Sequence, residues 1–240
     1  MTEEGDLYVF GKNNRGILGT GRFFTDDQPI PYRISHETVF AGEEVGMLVS
    51  SSFYNVVVTK HGSLFTWGTQ WGLGHGRRVT DKAPVYIDEQ TFEGLPIIMM
   101  ACGFSSSIAL TEGRGVWTCG KGHHAGTYVD DDLYHCIPVQ HFHDKKIVKV
   151  TSGDYHMMSI DTEDILWAWG DNRYVQLCCG ALDEGEGEPQ PVLVPPTAFD
   201  GSKVAYVAVC SQSTMVVTSD GVLWVQIWNM RAIGDVDNLA

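Results

Sequence analysis

A short aromatic segment recurs along this chain and constrains the fold more than any other feature. Each copy has a Gly or Asp, a few apolar residues that include an aromatic one, and a closing Gly that the fifth copy replaces with Ile. The copies lie at 5–11, 62–68, 115–120, 164–170 and 221–227. Successive copies are about 50 to 57 residues apart. This period indicates a repeat architecture, in which each unit buries its apolar surface against its neighbours.

Two other segments recur in register with the aromatic one. Apolar stretches with a polar centre precede it and read as the first part of a hairpin; they lie at 51–59, 103–111, 153–161 and 210–218. Pro-containing stretches follow it, at 29–34, 84–87, 137–140 and 191–195. We expect these to be outer strands, because the missing N–H of Pro costs nothing at a sheet edge.

Each unit therefore has four short strands, which is the content of one propeller blade. We predict an all-β chain that forms a β-propeller of four-stranded antiparallel blades, with three complete blades plus two partial ones in an incomplete or small ring. A single repeat domain is predicted over 1–240, with repeat units at about 5–43, 44–94, 95–145, 146–202 and 203–235. Open sheet edges in such a ring favour self-association or incorporation into a larger complex.

The loop after the aromatic segment carries Gly and Asn at fixed places, and its first copy reads aromatic-Gly-x-Asn-x-x-Gly-x-Leu-Gly. This pattern resembles the repeat of the regulator of chromosome condensation family, and the resemblance extends over nearly all of residues 5–235. In this repeat a His at the position of His156 is expected to hydrogen-bond between neighbouring strands. The repeat positions, which we expect to be structural, are Gly11, Asn13, Gly16, Gly19, Trp67, Gly68, Gly103, Gly120, Gly153, His156, Trp169, Gly170 and Asn172.

The resemblance implies a propeller and fixes function less well, since the family includes nucleotide exchange factors and propellers attached to ubiquitin ligases or scaffolds. Our interpretation is a non-catalytic protein–protein interaction module or assembly subunit. The alternative, a guanine-nucleotide exchange factor for a small GTPase, rests on the resemblance alone. The longest loop, 171–190, is acidic and Gly-rich and offers no wedge for such exchange. No P-loop, Gly-x-Ser-x-Gly or HExxH motif occurs, so we assign no catalytic residue and expect no cofactor.

Acidic residues outnumber basic ones, 30 Asp and Glu against 16 Lys and Arg, and the formal net charge is −14. This balance argues against direct binding to nucleic acid or to an anionic membrane, and it favours a protein partner with a basic surface. Two acidic loops of neighbouring units are expected at the same end of the propeller, either as partner contacts or as solvated loops. The candidate partner-binding residues in them are Asp130, Asp131, Asp132, Asp183, Glu184, Glu186 and Glu188.

Cys and His residues raise two further questions, metal binding and location. Zn²⁺ takes four N or S ligands, and His141 and His143 would point to one face of a predicted strand. The spacings match no zinc module, so no metal site is predicted. Six Cys without a Cys-x-x-Cys pair, and an acidic N-terminus without an apolar core, favour an intracellular protein, cytoplasmic rather than nuclear. The potential ligands weighed here are Cys119, His123, His124, His135, Cys136, His141 and His143.

Overall fold

The computed structural model describes residues 2, 5–21, 27–69, 71–76, 80–122, 125–127, 131–179 and 187–227. Over these residues the chain forms five antiparallel sheets, two of them partial and three of them four-stranded. The predicted all-β propeller architecture, with three complete blades plus two partial ones, is confirmed. The boundaries of the sequence repeat units stay a prediction.

The sheets follow one another in chain order. The first sheet pairs β1 (Leu7–Gly11) with β2 (Gln28–Ile34). The second contains β3 (Val45–Ser50), β4 (Tyr54–Thr59), β5 (Leu64–Thr69) and β6 (Thr80–Ile87). The third contains β7 (Ile97–Cys102), β8 (Ser106–Thr111), β9 (Val116–Gly120) and β10 (Leu133–Pro138). The fourth contains β11 (Ile147–Ser152), β12 (His156–Asp161), β13 (Leu166–Asp171) and β14 (Gly187–Leu193). The fifth contains β15 (Val204–Val209), β16 (Ser213–Thr218) and β17 (Leu223–Ile227).

Within the described residues, helical structure is confined to single turns between strands. The α-helical turn α1 spans His36–Val39, and the 3-10 turns span Asn14–Gly16, Trp71–Leu73, Glu89–Phe92, Gln140–Phe142 and Pro196–Phe199. Three of these turns each bury one Phe, at positions 92, 142 and 199, beneath the connection from one sheet to the next.

The first strand of each complete sheet is the inner one. Strands β3, β7, β11 and β15 contact one another from sheet to sheet, as strands that surround a common axis must. The Pro-containing strands β2, β6, β10 and β14 lie at the opposite edge of their sheets. This position confirms the expectation that Pro marks the outer strand, where no ladder partner needs its N–H.

The core lies between the sheets. Side chains of the second and third strands alternate between a forward face, which packs on the following sheet, and a backward face, which packs on the preceding one. At the boundary between the third and fourth sheets, Ile108 and Leu110 of the forward face pack in one buried cluster with Trp167 and Trp169 of the backward face. The Trp residues of the repeat are therefore core residues of the sheet boundaries.

The Gly that closes the aromatic strand of each four-stranded sheet is explained by backbone conformation and crowding. Gly68 and Gly120 have φ of +114° and +128°, a region that L-residues with a side chain rarely adopt. A Cβ at these positions would lie 2.4 Å from the Phe53 carbonyl oxygen and 2.3 Å from that of Ser105. The neighbouring strand approaches so closely that only Gly fits.

Candidate functional site

The topology collects two sets of loops at one end of the sheets. In a four-stranded antiparallel sheet, the turn from the first to the second strand and the turn from the third to the fourth strand lie at the same end. We call this end the loop face; it contains the first-to-second turns 51–53, 103–105, 153–155 and 210–212, and the connections that lead into the outer strands β2, β6, β10 and β14.

Three aromatic side chains form a continuous row on the loop face. Phe53 and Phe104 pack edge-to-face with ring centroids 4.9 Å apart, and the centroids of Phe104 and Tyr155 are 5.6 Å apart. The guanidinium of Arg15 lies 5.9 Å from the centroid of Phe53. All three rings, which we call the aromatic arc, are half-buried and come from the turns of three successive sheets. Half-exposed aromatic side chains of this kind are enriched at protein–protein interfaces.

The predicted acidic contacts are only partly described by the structure. Asp131 is exposed and Asp132 half-buried just before β10, and Glu188 is half-buried in β14. These residues follow the third strands of two neighbouring sheets, so they belong to the loop face that carries the aromatic arc. Asp130, Asp183, Glu184 and Glu186 lie outside the described residues. Whether any of these carboxylates contacts a partner stays a prediction.

The Asn of the repeat holds the loop after the third strand. The Asn13 side-chain oxygen accepts a hydrogen bond of 3.1 Å from the Leu18 N–H, and Asn172 accepts one of 3.0 Å from the Leu177 N–H. The two loops are thereby folded alike in the first and fourth sheets. Each presents the carbonyl of the preceding residue, Ile17 or Gln176, to the next sheet.

Those carbonyls anchor neighbouring sheets to each other. Asn55 donates to the Ile17 carbonyl over 2.5 Å, and Thr214 donates to the Gln176 carbonyl over 2.7 Å. At the boundary between the second and third sheets, Ser107 donates to the Gly72 carbonyl over 2.7 Å. By strand register Met157 holds the corresponding place in the fourth sheet, and its side chain has no hydrogen to donate.

His156 adds a second bond to one of these anchors. Its Nε2 lies 3.0 Å from the Thr214 hydroxyl oxygen on the neighbouring sheet. Because that hydroxyl donates its only hydrogen to Gln176, the bond requires the His156 tautomer with a hydrogen on Nε2. Burial lowers the pKa of His156 from its ordinary value of 6.5 to about 4, so the ring is neutral near pH 7. In the second sheet the hydroxyl of Tyr54 donates to the Ser106 carbonyl over 2.7 Å.

The predicted placement of His141 and His143 on a strand is wrong. Strand β10 ends at Pro138, and the chain then enters the 3-10 turn Gln140–Phe142. The His141 ring packs edge-to-face on Trp167 at 4.9 Å between centroids, whereas the His143 side chain is 76% exposed. The two rings therefore lie in different environments, one packed on Trp167 and the other exposed to solvent.

The other candidate metal ligands do not form a metal centre in the part of the chain that the structure describes. The Cys119 and Cys136 sulfurs are 2.8 Å apart in the core between the second and third sheets, and both thiols are free. His123 and His124 lie outside the described residues. Among the described residues, no group of three or more His, Cys, Asp or Glu side chains is placed to hold a metal ion.

A buried hydroxyl–imidazole–carboxylate relay was not foreseen from the sequence. Thr66 Oγ1 lies 2.5 Å from His75 Nε2, and His75 Nδ1 lies 2.5 Å from an Asp81 carboxylate oxygen. The order resembles that of a catalytic triad, but Thr66 is only 1% exposed and its hydroxyl also contacts the Leu73 carbonyl. Because no substrate reaches a hydroxyl closed within the sheet, the relay holds the third-to-fourth connection of the second sheet.

No helix within the described residues has the length and apolar character needed to cross a membrane.

Comparison with known proteins identifies the repeat. A model of the Regulator of chromosome condensation (RCC1) repeat matches residues 4–48 and 61–110, and a second model of the same repeat matches residues 147–176. The human E3 ubiquitin-protein ligase HERC2 is 31% identical over 221 residues, which cover 90% of this chain and 4% of the ligase. The mitochondrial RCC1 domain-containing protein RUG3 of Arabidopsis thaliana is 30% identical over 201 residues, which cover 80% of this chain and 44% of RUG3.

Solved structures show the same fold. Prp20p of Saccharomyces cerevisiae superposes with a TM-score of 0.78 and 20% sequence identity over 94% of this chain and 53% of Prp20p. This chain thus spans about half of the length of RUG3 and of Prp20p, and a small fraction of HERC2. Because the repeat models, the relatives and the sheet architecture agree, the chain belongs to the regulator of chromosome condensation repeat family.

Proposed function

We propose that this chain is a non-catalytic protein-interaction module whose binding surface is the loop face. The observation that carries the proposal is the aromatic arc of Phe53, Phe104 and Tyr155, which joins three sheets and keeps all three rings half-exposed. A turn needs no large aromatic side chain for its conformation, whereas a partner surface gains affinity from such anchors.

The partner we propose is a protein with a basic surface. The formal net charge of −14 and the positions of Asp131, Asp132 and Glu188 support this choice, because opposite charge speeds encounter and fixes orientation. Prp20p, which has the same fold, is described as binding Gsp1p and histones. For this chain we propose only the same class of partner, a protein rather than nucleic acid or membrane. We further propose that the interaction takes place inside the cell.

A second candidate is guanine-nucleotide exchange on a small GTPase. It is favoured by the fold similarity to Prp20p, for which binding to Gsp1p is described. At 20% identity that similarity concerns the fold alone, and the HERC2 match places the same repeat in a ubiquitin ligase. The hydroxyl–imidazole–carboxylate relay of Thr66, His75 and Asp81 is buried, which supports the non-catalytic choice.

Affinity capture from native extract separates the two candidates. The tagged chain is used once with Mg²⁺ and guanine nucleotide and once after EDTA has removed both. An interaction module retains the same partners in both conditions. A small GTPase retained only after EDTA treatment would contradict the module and support exchange, since an exchange factor holds the nucleotide-free GTPase most tightly.

A further inference from the structure

Two cysteines of neighbouring strands meet in the core between the second and third sheets. Cys119 lies in β9 and Cys136 in β10, and their sulfur atoms are 2.8 Å apart. Both side chains are buried, at 1% and 6% exposed, and both carry free thiols. Their separation exceeds the length of a disulfide bond, about 2.05 Å, by less than about 1 Å. A small movement of the two side chains therefore brings the sulfurs into bonding distance.

The repeat places a different pair of residues here in the other two complete sheets. In each complete sheet the ladder between the third and fourth strands shifts register, and one residue of the third strand lies opposite three of the fourth. In the second and fourth sheets the residues inside this shift include a Trp on the third strand and a Pro on the fourth, namely Trp67 with Pro84 and Trp169 with Pro191. In the third sheet the same two places hold Cys119 and Cys136. Both members of the pair are therefore replaced by Cys in one sheet.

The two thiols together occupy the space that an indole ring fills in the fourth sheet. A Cβ on Gly74 would lie 3.0 Å from the Cys136 sulfur and 3.6 Å from the Cys119 sulfur. A Cβ on Gly126, in the loop after β9, would lie 2.5 Å from Trp169 Nε1. Space filling explains why the loop packs on these side chains, whereas two sulfurs in contact add a chemistry that Trp and Pro lack.

We propose that Cys119 and Cys136 form a redox-sensitive dithiol, which hydrogen peroxide oxidises to a disulfide within the folded chain. One thiol is first oxidised by the peroxide to a sulfenic acid, and one water is released. The sulfur of the second thiol then attacks the sulfenic sulfur, and the hydroxyl group leaves with the thiol hydrogen as a second water. The two thiols lose two electrons and two hydrogens, and the peroxide gains them.

Burial sets the rate of this oxidation. Cys136 is the more exposed of the two side chains, so we expect the peroxide to reach its sulfur first. The hydrogen bond with Cys136 and burial raise the pKa of the Cys119 thiol well above its ordinary value of 9.0, which keeps this thiol protonated near pH 8. Because the thiolate is the reactive form, the pair should be oxidised more slowly than the exposed Cys210.

The disulfide would constrain one connection of the loop face. The connection from β9 to β10 belongs to that face and carries Asp131 and Asp132. A bond between Cys119 and Cys136, which are 17 residues apart, closes this connection into a covalent loop. A closed loop has less conformational entropy in the unfolded chain, so oxidation should stabilise the third sheet. An effect of oxidation on partner binding would rest on the proposed function, whereas formation of the disulfide does not.

Thiol counting on the full chain tests the proposal. Cys210→Ser removes the exposed thiol and serves as the background for every variant. The native chain is treated with hydrogen peroxide, the remaining thiols are alkylated in denaturant, and unreduced peptides are mapped by mass spectrometry. We expect two thiols to be lost as one disulfide between Cys119 and Cys136, at a rate independent of protein concentration, and dithiothreitol should restore both. The oxidised chain should melt roughly 6 to 12 °C above the reduced chain.

Three single variants show which thiols react. Cys119→Ala and Cys136→Ala should each abolish the disulfide. Cys102→Ala is the matched control and should retain it, because the Cys102 sulfur packs against the same core but lies 3.8 Å from the Ser107 hydroxyl oxygen. If an Ala variant loses its far-ultraviolet circular dichroism, the double variant Cys119→Trp with Cys136→Pro replaces it, since the second and fourth sheets hold that pair.

Three results would overturn the proposal. The first is a native chain in which both thiols survive the peroxide treatment. The second is a disulfide that joins Cys119 or Cys136 to Cys102 instead. The third is an oxidised chain that melts no higher than the reduced chain, because a disulfide formed in place must constrain the unfolded chain.

Discussion

His156 Nε2 and Thr214 Oγ1 lie 3.0 Å apart across the boundary between the fourth and fifth sheets, and the Thr214 hydroxyl donates a hydrogen bond to the Gln176 carbonyl oxygen. Three groups that are far apart in sequence thus form one buried chain of hydrogen bonds. This chain of hydrogen bonds ties together three elements: the loop after β13, strand β12 of the same sheet and strand β16 of the next sheet.

Replacing Thr214 by Val tests this anchor. Val has nearly the same shape but no hydroxyl, so the Gln176 carbonyl and the His156 N–H lose their partner inside the core. We expect the free energy of unfolding in urea to fall by about 1 to 3 kcal/mol. Thr80→Val is the matched control, since the Thr80 hydroxyl bond to Thr69 is exposed and its loss should cost less than about 0.5 kcal/mol. Equal losses in the two variants would contradict a role for the buried anchor.

The low pKa of His156 predicts a pH dependence of stability. Because burial lowers this pKa from 6.5 to about 4, the unfolded chain binds more protons than the folded chain between these values. Stability is therefore fully present above about pH 6.5 and is lost as the pH falls toward about 4, by about 3 kcal/mol from this group. His156→Gln should flatten the profile over this range. Urea unfolding at pH 7, 5.5 and 4.5 measures the difference, and parallel profiles of variant and wild type would refute it.

Gly19 separates crowding from backbone strain. It has φ of +73°, and a Cβ there would lie 2.5 Å from Trp67 Nε1. Gly42 has φ of +81° with nothing within 4 Å of the same added atom. Gly42→Ala should cost about 1 kcal/mol from backbone strain, and Gly19→Ala about 2 to 4 kcal/mol from strain plus a displaced Trp67. Equal destabilisation of the two variants in thermal denaturation would contradict the close packing of the Gly19 loop on Trp67.

The thiols should differ sharply in reactivity. Cys210 is exposed, whereas burial raises the pKa of Cys102 and of Cys178 to about 12, so these two are protonated at pH 8. Because the thiolate is the reactive form, Ellman's reagent should modify one thiol rapidly in the native chain and all six after unfolding. Cys210→Ser should remove the rapid phase. A rapid phase that survives this substitution would show that another thiol is accessible.

The sequence predicted what depends on local pattern and missed what depends on neighbouring units. The four-strand units and their outer Pro strands followed from the repeat of short apolar segments, because each hairpin is encoded by adjacent residues. The aromatic arc joins Phe53, Phe104 and Tyr155, which sequence separates by about fifty residues each; its signal was an aromatic residue in three successive first-to-second turns. The sequence pattern predicted His141 and His143 on one strand, but strand β10 ends at Pro138 and the chain then forms the 3-10 turn Gln140–Phe142.

The site was less predictable than the fold for a physical reason. Burial positions in a repeat are fixed by the neighbouring units, so their pattern recurs and can be read from one chain. A partner surface carries no such internal constraint, and the acidic residues Asp131, Asp132 and Glu188 stay predicted contacts. The relay from Thr66 through His75 to Asp81 shows the converse case, in which residue types typical of catalysis serve to hold a loop.

The affinity of a captured partner for two matched variants tests the central claim most directly. Phe104→Asp places a charge in the middle of the aromatic arc, and Leu95→Asp places the same charge at the opposite end of the sheets, where Leu95 is 38% exposed. Biolayer interferometry with the purified partner should show about tenfold or greater weakening for Phe104→Asp, the loss expected of a central aromatic anchor, and less than about twofold change for Leu95→Asp. Undiminished binding by Phe104→Asp, or a greater loss for Leu95→Asp, would contradict the assignment of the loop face as the binding surface.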